Sequence, residues 1–194
     1  MKKRMLCLLL AVLCLSGCGQ PPPARAADGA DWDRSWVTVG NVVGVDAPVG
    51  LELRENNDAL AANGMYYAAW SIGEETPFVN AEGDDAKLYD AQIYLLLAGY
   101  GQAEKAEDRA AELLDMAAAQ YTVEDTMEAV HNGQRFTIMT YTYHTETNPY
   151  QRGASAFGVY RNYAVSVEIS CREDFDGDAP AILGDFLDRC HYSV

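Results

Sequence analysis

Residues 162–171 read Asn-Tyr-Ala-Val-Ser-Val-Glu-Ile-Ser-Cys. Tyr163, Val165, Val167, Ile169 and Cys171 alternate with Asn162, Ala164, Ser166, Glu168 and Ser170, so one side of a strand turns to a core and the other to water. That alternation belongs to an antiparallel sheet, because strands of a parallel sheet, buried on both faces, carry near-continuous apolar runs. Past a polar turn, Ala179 to His191 places Ile182, Leu183, Phe186, Leu187 and Cys190 on one side of a helix. Asp178 is a residue type that caps a helix start, and Pro180 suits the first turn. A half-wet strand followed by an amphipathic helix predicts a helix laid on an antiparallel sheet.

Upstream, Ala154 to Tyr160 pairs with that strand through a turn near Arg161-Asn162. Asp125 to Val130 and Gln134 to His144 form another hairpin around His131-Asn132-Gly133, since Asn-Gly supplies the positive φ angles of a tight turn. Gln102 to Gln120 is a helix, its stripe made by Ala103, Ala106, Ala110, Leu113, Leu114, Ala117 and Tyr121. Glu104, Glu107 and Asp108 fall in its early turns, where the helix dipole favours negative charge. Ala86 to Leu97 alternates as a strand would, although its Leu and Ala content also permits a helix. Met65 to Ile72 reads as an aromatic strand, Gly73 to Asp85 as an acidic loop, and Glu55 to Asp58 as a polar turn. Trp36 to Val39 and Val49 to Arg54 open the set as short strands around a turn at Asp46-Ala47-Pro48. The expected fold class is α+β, an antiparallel sheet packed with one central and one C-terminal helix.

The first 18 residues have a different character. Lys2, Lys3 and Arg4 precede an apolar run from Met5 to Leu15, which is too short for a permanent membrane helix and suits a signal peptide. Its ending, Leu15-Ser16-Gly17-Cys18, resembles the lipobox of bacterial lipoproteins. That resemblance implies cleavage after Gly17 and a diacylglyceryl thioether on Cys18, with acyl chains such as palmitate as the membrane anchor. Residues 1–17 are then the signal peptide, 18–30 a lipidated, proline-rich tether, and 31–194 a single domain. The Pro21-Pro22-Pro23 run stiffens the tether into an extended spacer. Cys7 and Cys14 leave with the peptide.

Loss of residues 1–17 removes three basic and no acidic residues, leaving 11 basic against 29 acidic, a net charge of −18. Such a surface repels nucleic acid and anionic headgroups. A hydrophobic content of 49% with 12 Tyr excludes disorder as the state of the whole chain.

Element order, the string GMYYAAWSIGE at 64–74 and the closing FLDRCHYS at 186–193 resemble the PsbP-like fold. This fold is named for an extrinsic photosystem protein and shared by many small bacterial lipoproteins. The resemblance implies a PsbP-like sandwich over roughly residues 35–194. It carries no functional residue, because folds host many functions.

Candidate sites are few. Cys171 and Cys190 both point inward, and an exported compartment allows a disulfide that stabilises by about 3 kcal/mol in the loop-entropy picture; two buried free thiols are the alternative. Asp174, Asp176 and Asp178 alternate like a calcium loop, but Ala179 and Asp185 stand where Gly and Glu are wanted, so a solvated turn explains them. His131, His144 and His191 are too far apart in sequence for paired metal ligation on one helix. There is no Gly-x-Ser-x-Gly at Ser155 and no phosphate loop at Gly99-Tyr100-Gly101. Neither catalytic nor metal nor cofactor residues are therefore assigned. Tyr66, Tyr67 and Trp70 on one strand with Tyr141 and Tyr143 on another could line a groove or simply pack across strands.

The function expected is that of a non-catalytic envelope lipoprotein on the extracytoplasmic face. It binds a protein or small ligand through its sheet face and the acidic loop 73–85. The alternatives are an envelope hydrolase, marked by a pocket gathering His144 with carboxylates, and a structural subunit of a membrane complex, marked by a flat apolar patch.

Overall fold

The computed structural model describes residues 36–57, 60–79, 83–144 and 148–192. Cys18 and the expected signal peptide and tether lie outside them. The described chain folds into β1 (Trp36–Val39), β2 (Val43–Asp46), β3 (Glu52–Asn57), β4 (Met65–Ile72), β5 (Thr76–Val79), β6 (Asp85–Leu88), β7 (Ala91–Gly99), α1 (Ala103–Gln120), β8 (Tyr121–His131), β9 (Gln134–Tyr143), β10 (Arg152–Tyr160), β11 (Tyr163–Cys171), α2 (Ala179–Asp188) and β12 (Cys190–Tyr192). A seven-stranded antiparallel sheet in the order β3-β4-β7-β11-β10-β9-β8 forms the body. A small sheet, β1-β2-β12, packs with α2 on one face, and α1 lies on the other.

The alternation in 163–171 sorts those two faces. Val165, Val167, Ile169 and Cys171 enter the larger core, where Ile93, Leu95, Leu97, Trp70, Phe136 and Ile138 meet Leu183, Phe186 and Leu187 of α2. Trp70 stands edge-on to Phe186 with ring centroids 5.0 Å apart. Leu113 of α1 covers a smaller cluster of Met139, Tyr141 and Phe157, with Leu114, Ala117, Tyr121 and Tyr143 at its margin. Each helix thus buries one stripe, as amphipathic helices on a sheet must.

Several elements differ from expectation. Residues 86–97 divide into the end of β6 and most of β7, and β7 spans nine residues buried on alternate positions, so the strand reading holds. The acidic loop at 73–85 contains β5, which pairs with β6 as a small hairpin. Glu55 to Asn57 are not a turn but the end of β3, because Tyr67 Oη donates to Glu55 at 3.2 Å and Asn56 Nδ2 reaches Thr38 O at 3.1 Å. The strand expected at Val49–Arg54 begins instead at Glu52, and β2, four residues long, lies before it. Tyr121 opens β8 directly after α1, where its ring stacks on Tyr141 at 4.1 Å. At the C-terminus α2 stops at Asp188, and Cys190–Tyr192 pairs with Val43–Val45, so His191 lies in a strand and not at a helix end. Asp178 occupies the N-cap with extended backbone but forms no side-chain cap bond; its carbonyl accepts from Ile182 N at 3.0 Å.

Candidate functional site

The face that carries α1 is only partly covered. Over β11, β10 and β8 the helix packs closely and seals a tyrosine-rich cluster that includes Met139 and Tyr141 of β9, whereas over β3, β4 and β7 the same face is lined by half-buried Tyr67, Gln92, Tyr94 and Leu96, continued at the helix margin by Ser166 and Glu168 of β11. Strand register sets two parallel rows across it. Ala69, Tyr94, Glu168, Ser155 and Met139 align in one, and Ser71, Gln92, Ser170, Gly153 and Tyr141 in the next. The small residues Ala69, Ser71, Ser155, Ser170 and Gly153 leave the larger side chains standing above a low floor.

On one side Tyr67 and Tyr94 stack with centroids 6.0 Å apart and planes 14° from parallel. Tyr94 Oη donates to Gln92 Oε1, which fixes the ring over the floor. In the middle, Tyr143 Oη donates to Glu168 Oε1 at 2.9 Å and shares a 2.7 Å hydrogen bond with Ser170 Oγ, which itself lies 3.2 Å from the same carboxylate oxygen. Tyr141 Oη meets Ser155 Oγ at 3.0 Å. Burial pushes the Tyr141 and Tyr143 phenols well above the usual range, with the nearby Glu168 charge acting in the same direction. Both stay neutral at physiological pH, and Tyr143 keeps the proton it donates to Glu168. At the far end Arg54 Nε donates to Ser71 Oγ at 2.6 Å, and its guanidinium sits 4.5 Å from the Tyr89 ring. Tyr89 Oη in turn donates to Glu75 at 3.2 Å, and Lys87 pairs with Glu75 at 3.0 Å, which lowers that carboxyl's pKa mainly through the Lys87 hydrogen bond. The acidic segment is therefore tied to the rim of the face, with part of its charge compensated.

The aromatic set expected from sequence separates. Tyr67, Tyr141 and Tyr143 share this face, while Trp70 points to the opposite core and Tyr66 packs at that core's edge against Tyr163. Tyr94, Gln92 and Glu168 were missed as site residues. Their signal was in the wet half of β7 and β11, where a glutamine, a tyrosine and a glutamate occupy positions opposite buried Ile93, Leu95 and Ile169.

Other candidates disperse. His131 Nδ1 contacts Asp188 at 3.0 Å, His144 Nδ1 lies 3.3 Å from Thr122 Oγ1, and His191 stacks on Trp36. His144 is exposed and belongs to neither of two surface grooves, one lined by Pro149, Gln151, Arg172, Glu173 and Asp174, the other by residues around Val49 and Ile182. Among the described residues no three His, Cys, Asp or Glu side chains cluster as metal ligands. The Asp174–Asp178 turn is ordered by Arg152, whose guanidinium donates to the Phe175 and Gly177 carbonyls.

Cys171 and Cys190 are buried free thiols, so the bond expected between them is not formed in this structure. They sit in different sheets, and Cys190 Sγ instead approaches Phe186 O at 3.4 Å. Burial raises the Cys171 thiol to about 11 and the Cys190 thiol to about 12. In an unfolded chain both would ionise near 9, so the folded state holds protons the unfolded state has lost. Stability from these groups is complete below pH 9 and disappears as pH rises towards 12. Melting temperature is expected to fall across pH 9–11, and to fall less steeply for Cys190→Ala; an unchanged slope in that variant would remove Cys190 from the effect.

No protein-family model matches this chain. No curated protein matches it either. Among solved structures it is similar to the solution structure of cyanobacterial PsbP (CyanoP) from Synechocystis sp. PCC 6803, at 11% identity and a TM-score of 0.40, over 76% of this chain and 95% of that one. A likeness at that level carries no argument about what the chain does.

Proposed function

We propose that this protein is a non-catalytic lipoprotein of the bacterial cell envelope, anchored through Cys18 on the extracytoplasmic side, that binds a partner protein or ligand on the open face of its main sheet. The observation that supports the binding role is the face itself. Tyr67, Gln92, Tyr94 and Leu96 project half-buried from β4 and β7, with Glu168 of β11 beside the helix that packs over β11, β10 and β8. Planar rings beside an amide and a hydrogen-bonded carboxylate suit a contact surface with flat apolar patches and donor or cationic groups. A proline-rich spacer after the lipid would hold the face away from the bilayer.

Anchoring is tested by Cys18→Ala. The variant is expected to keep its signal peptide and run at precursor mass, whereas processing and release like wild type would contradict lipidation. Binding is tested by Tyr94→Ala and Glu168→Gln in the full lipidated protein. Each variant is expected to keep its melting temperature within a few degrees while losing at least tenfold in retention of the wild-type partner. Retention equal to wild type in both variants would overturn the assignment of this face.

A further inference from the structure

The edge strand β8 is long and open. It runs from Tyr121 to His131 at the end of the seven-stranded sheet, and among the described residues no strand pairs with its outer side. The opposite edge, β3, is six residues long, bulged between Leu53 and Glu55, and tied by Asn56 to the small sheet. β8 has its own irregularity between Val123 and Asp125, after which Asp125 to His131 pairs in unbroken register with Thr140 to Gln134.

Backbone orientation follows from the turn. Asn132-Gly133, both at positive φ, close a two-residue hairpin between His131 and Gln134. The residues flanking such a turn exchange both hydrogen bonds, so His131, Ala129 and Met127 direct their backbone groups to β9, and Val130, Glu128 and Thr126 direct theirs outward. The Thr126 N–H agrees with this, since it is taken by the Asp125 carboxylate at 2.8 Å. Around these outward groups the exposed side chains include apolar and acidic ones. Val123, Met127 and Val130 are 38%, 54% and 64% exposed, and Glu124, Asp125 and Glu128 are acidic.

We infer that the β8 edge is a docking rail for an extended basic segment of a partner protein, which adds as an eighth strand to the sheet. Outward backbone groups at Glu128 and Val130 would supply the ladder; these two side chains share one face, where lysines of the incoming strand would lie with their stems on Val130, and Met127 on the other face would meet its apolar side chains. Charge selects the occupant. Edge strands are commonly defended with charge against pairing with themselves, and two β8 strands brought together would oppose acid to acid. A lysine- or arginine-bearing strand meets opposite charge at the same positions. This surface is distinct from the Tyr67–Tyr94 face, which lies at the other end of the sheet.

The test uses the full-length lipidated protein in detergent, with an N-acetylated, C-amidated octapeptide alternating lysine and valine as the probe. The lysine peptide is expected to bind, to slow amide exchange at residues 128 and 130 at least tenfold, and to weaken with added salt. A control peptide alternating glutamate and valine is expected to bind at least tenfold more weakly. Val130→Pro removes an outward N–H without breaking the β8–β9 ladder, and should lose the lysine peptide while keeping its melting temperature within a few degrees. The Glu124→Lys/Glu128→Lys variant should exchange the preference between the two peptides. Tyr94→Ala should bind the peptide like wild type. Absence of binding, equal binding of both peptides, binding insensitive to Val130→Pro, or a stable dimer through β8 without peptide would each overturn the inference.

Discussion

Replacing Trp70 with alanine is expected to cost about 3–5 kcal/mol of folding stability, the range for deleting a large buried aromatic side chain. Trp70 is 1% exposed, lies on a central strand flanked by β3 and β7, and holds Phe186 edge-on across the core between sheet and α2. Removing it takes away contacts to both layers and leaves a void that α2, pinned by β12 to the small sheet, cannot close. Trp70→Phe should cost less than the alanine change. It refills part of the volume and removes an indole N–H that is buried without a partner in the structure. Chemical denaturation followed by far-UV circular dichroism measures both variants, and an alanine variant within 1 kcal/mol of wild type would contradict this packing.

The second large effect is expected at Gly153. A Cβ there would lie 2.5 Å from the Ile169 carbonyl oxygen and 2.9 Å from the Tyr141 hydroxyl. The first contact is backbone of the neighbouring strand, so it cannot swing aside. Gly153→Val must therefore push β10 from β11 or drive Tyr141 off Ser155, at a cost of about 3 kcal/mol or more. The damage should spread to the Tyr143–Ser170–Glu168 hydrogen bonds, because Gly153 stands directly opposite Ser170. Gly153→Ala should show a smaller loss of the same kind. Equal stability in the valine variant would mean that Tyr141 does not press on β10.

Where the pattern was strictly periodic, the chain declared its own structure. Alternation in 163–171 and the stripe of α1 depend on local spacing alone, and both elements stand where the residues put them. Glu55 to Asn57 failed for the opposite reason. Three polar residues look like a turn, yet at the sheet margin they extend because β4 offers a ladder and Tyr67 and Thr38 take up their side chains. β2 and β12 were too short for any period to register, and they exist because each completes the other. The end of α2 moved for the same cause, since pairing of Cys190–Tyr192 with β2 outweighs one more helical turn.

The candidate site was legible only in part. Tyr67 and Tyr143 were visible as aromatic residues on strands, but which face each takes depends on register, and register is set by tertiary pairing. Trp70 looked equivalent to Tyr67 in sequence, although an odd spacing of three places the two on opposite faces of β4. Tyr94, Gln92 and Glu168 gain meaning only once β7 and β11 lie side by side, β11 under α1 and β7 beyond it.

The binding claim is tested most directly by hydroxyl-radical footprinting of the full-length protein, once in an envelope fraction of cells that make it and once purified in detergent. Oxidation of Tyr67 and Tyr94 is expected to fall at least threefold in the envelope sample, while exposed Val49, on the opposite side of the sheet beside Ile182, reacts equally in both. Equal reactivity of Tyr67 and Tyr94 in the two samples would contradict the assignment of this face as the interaction surface.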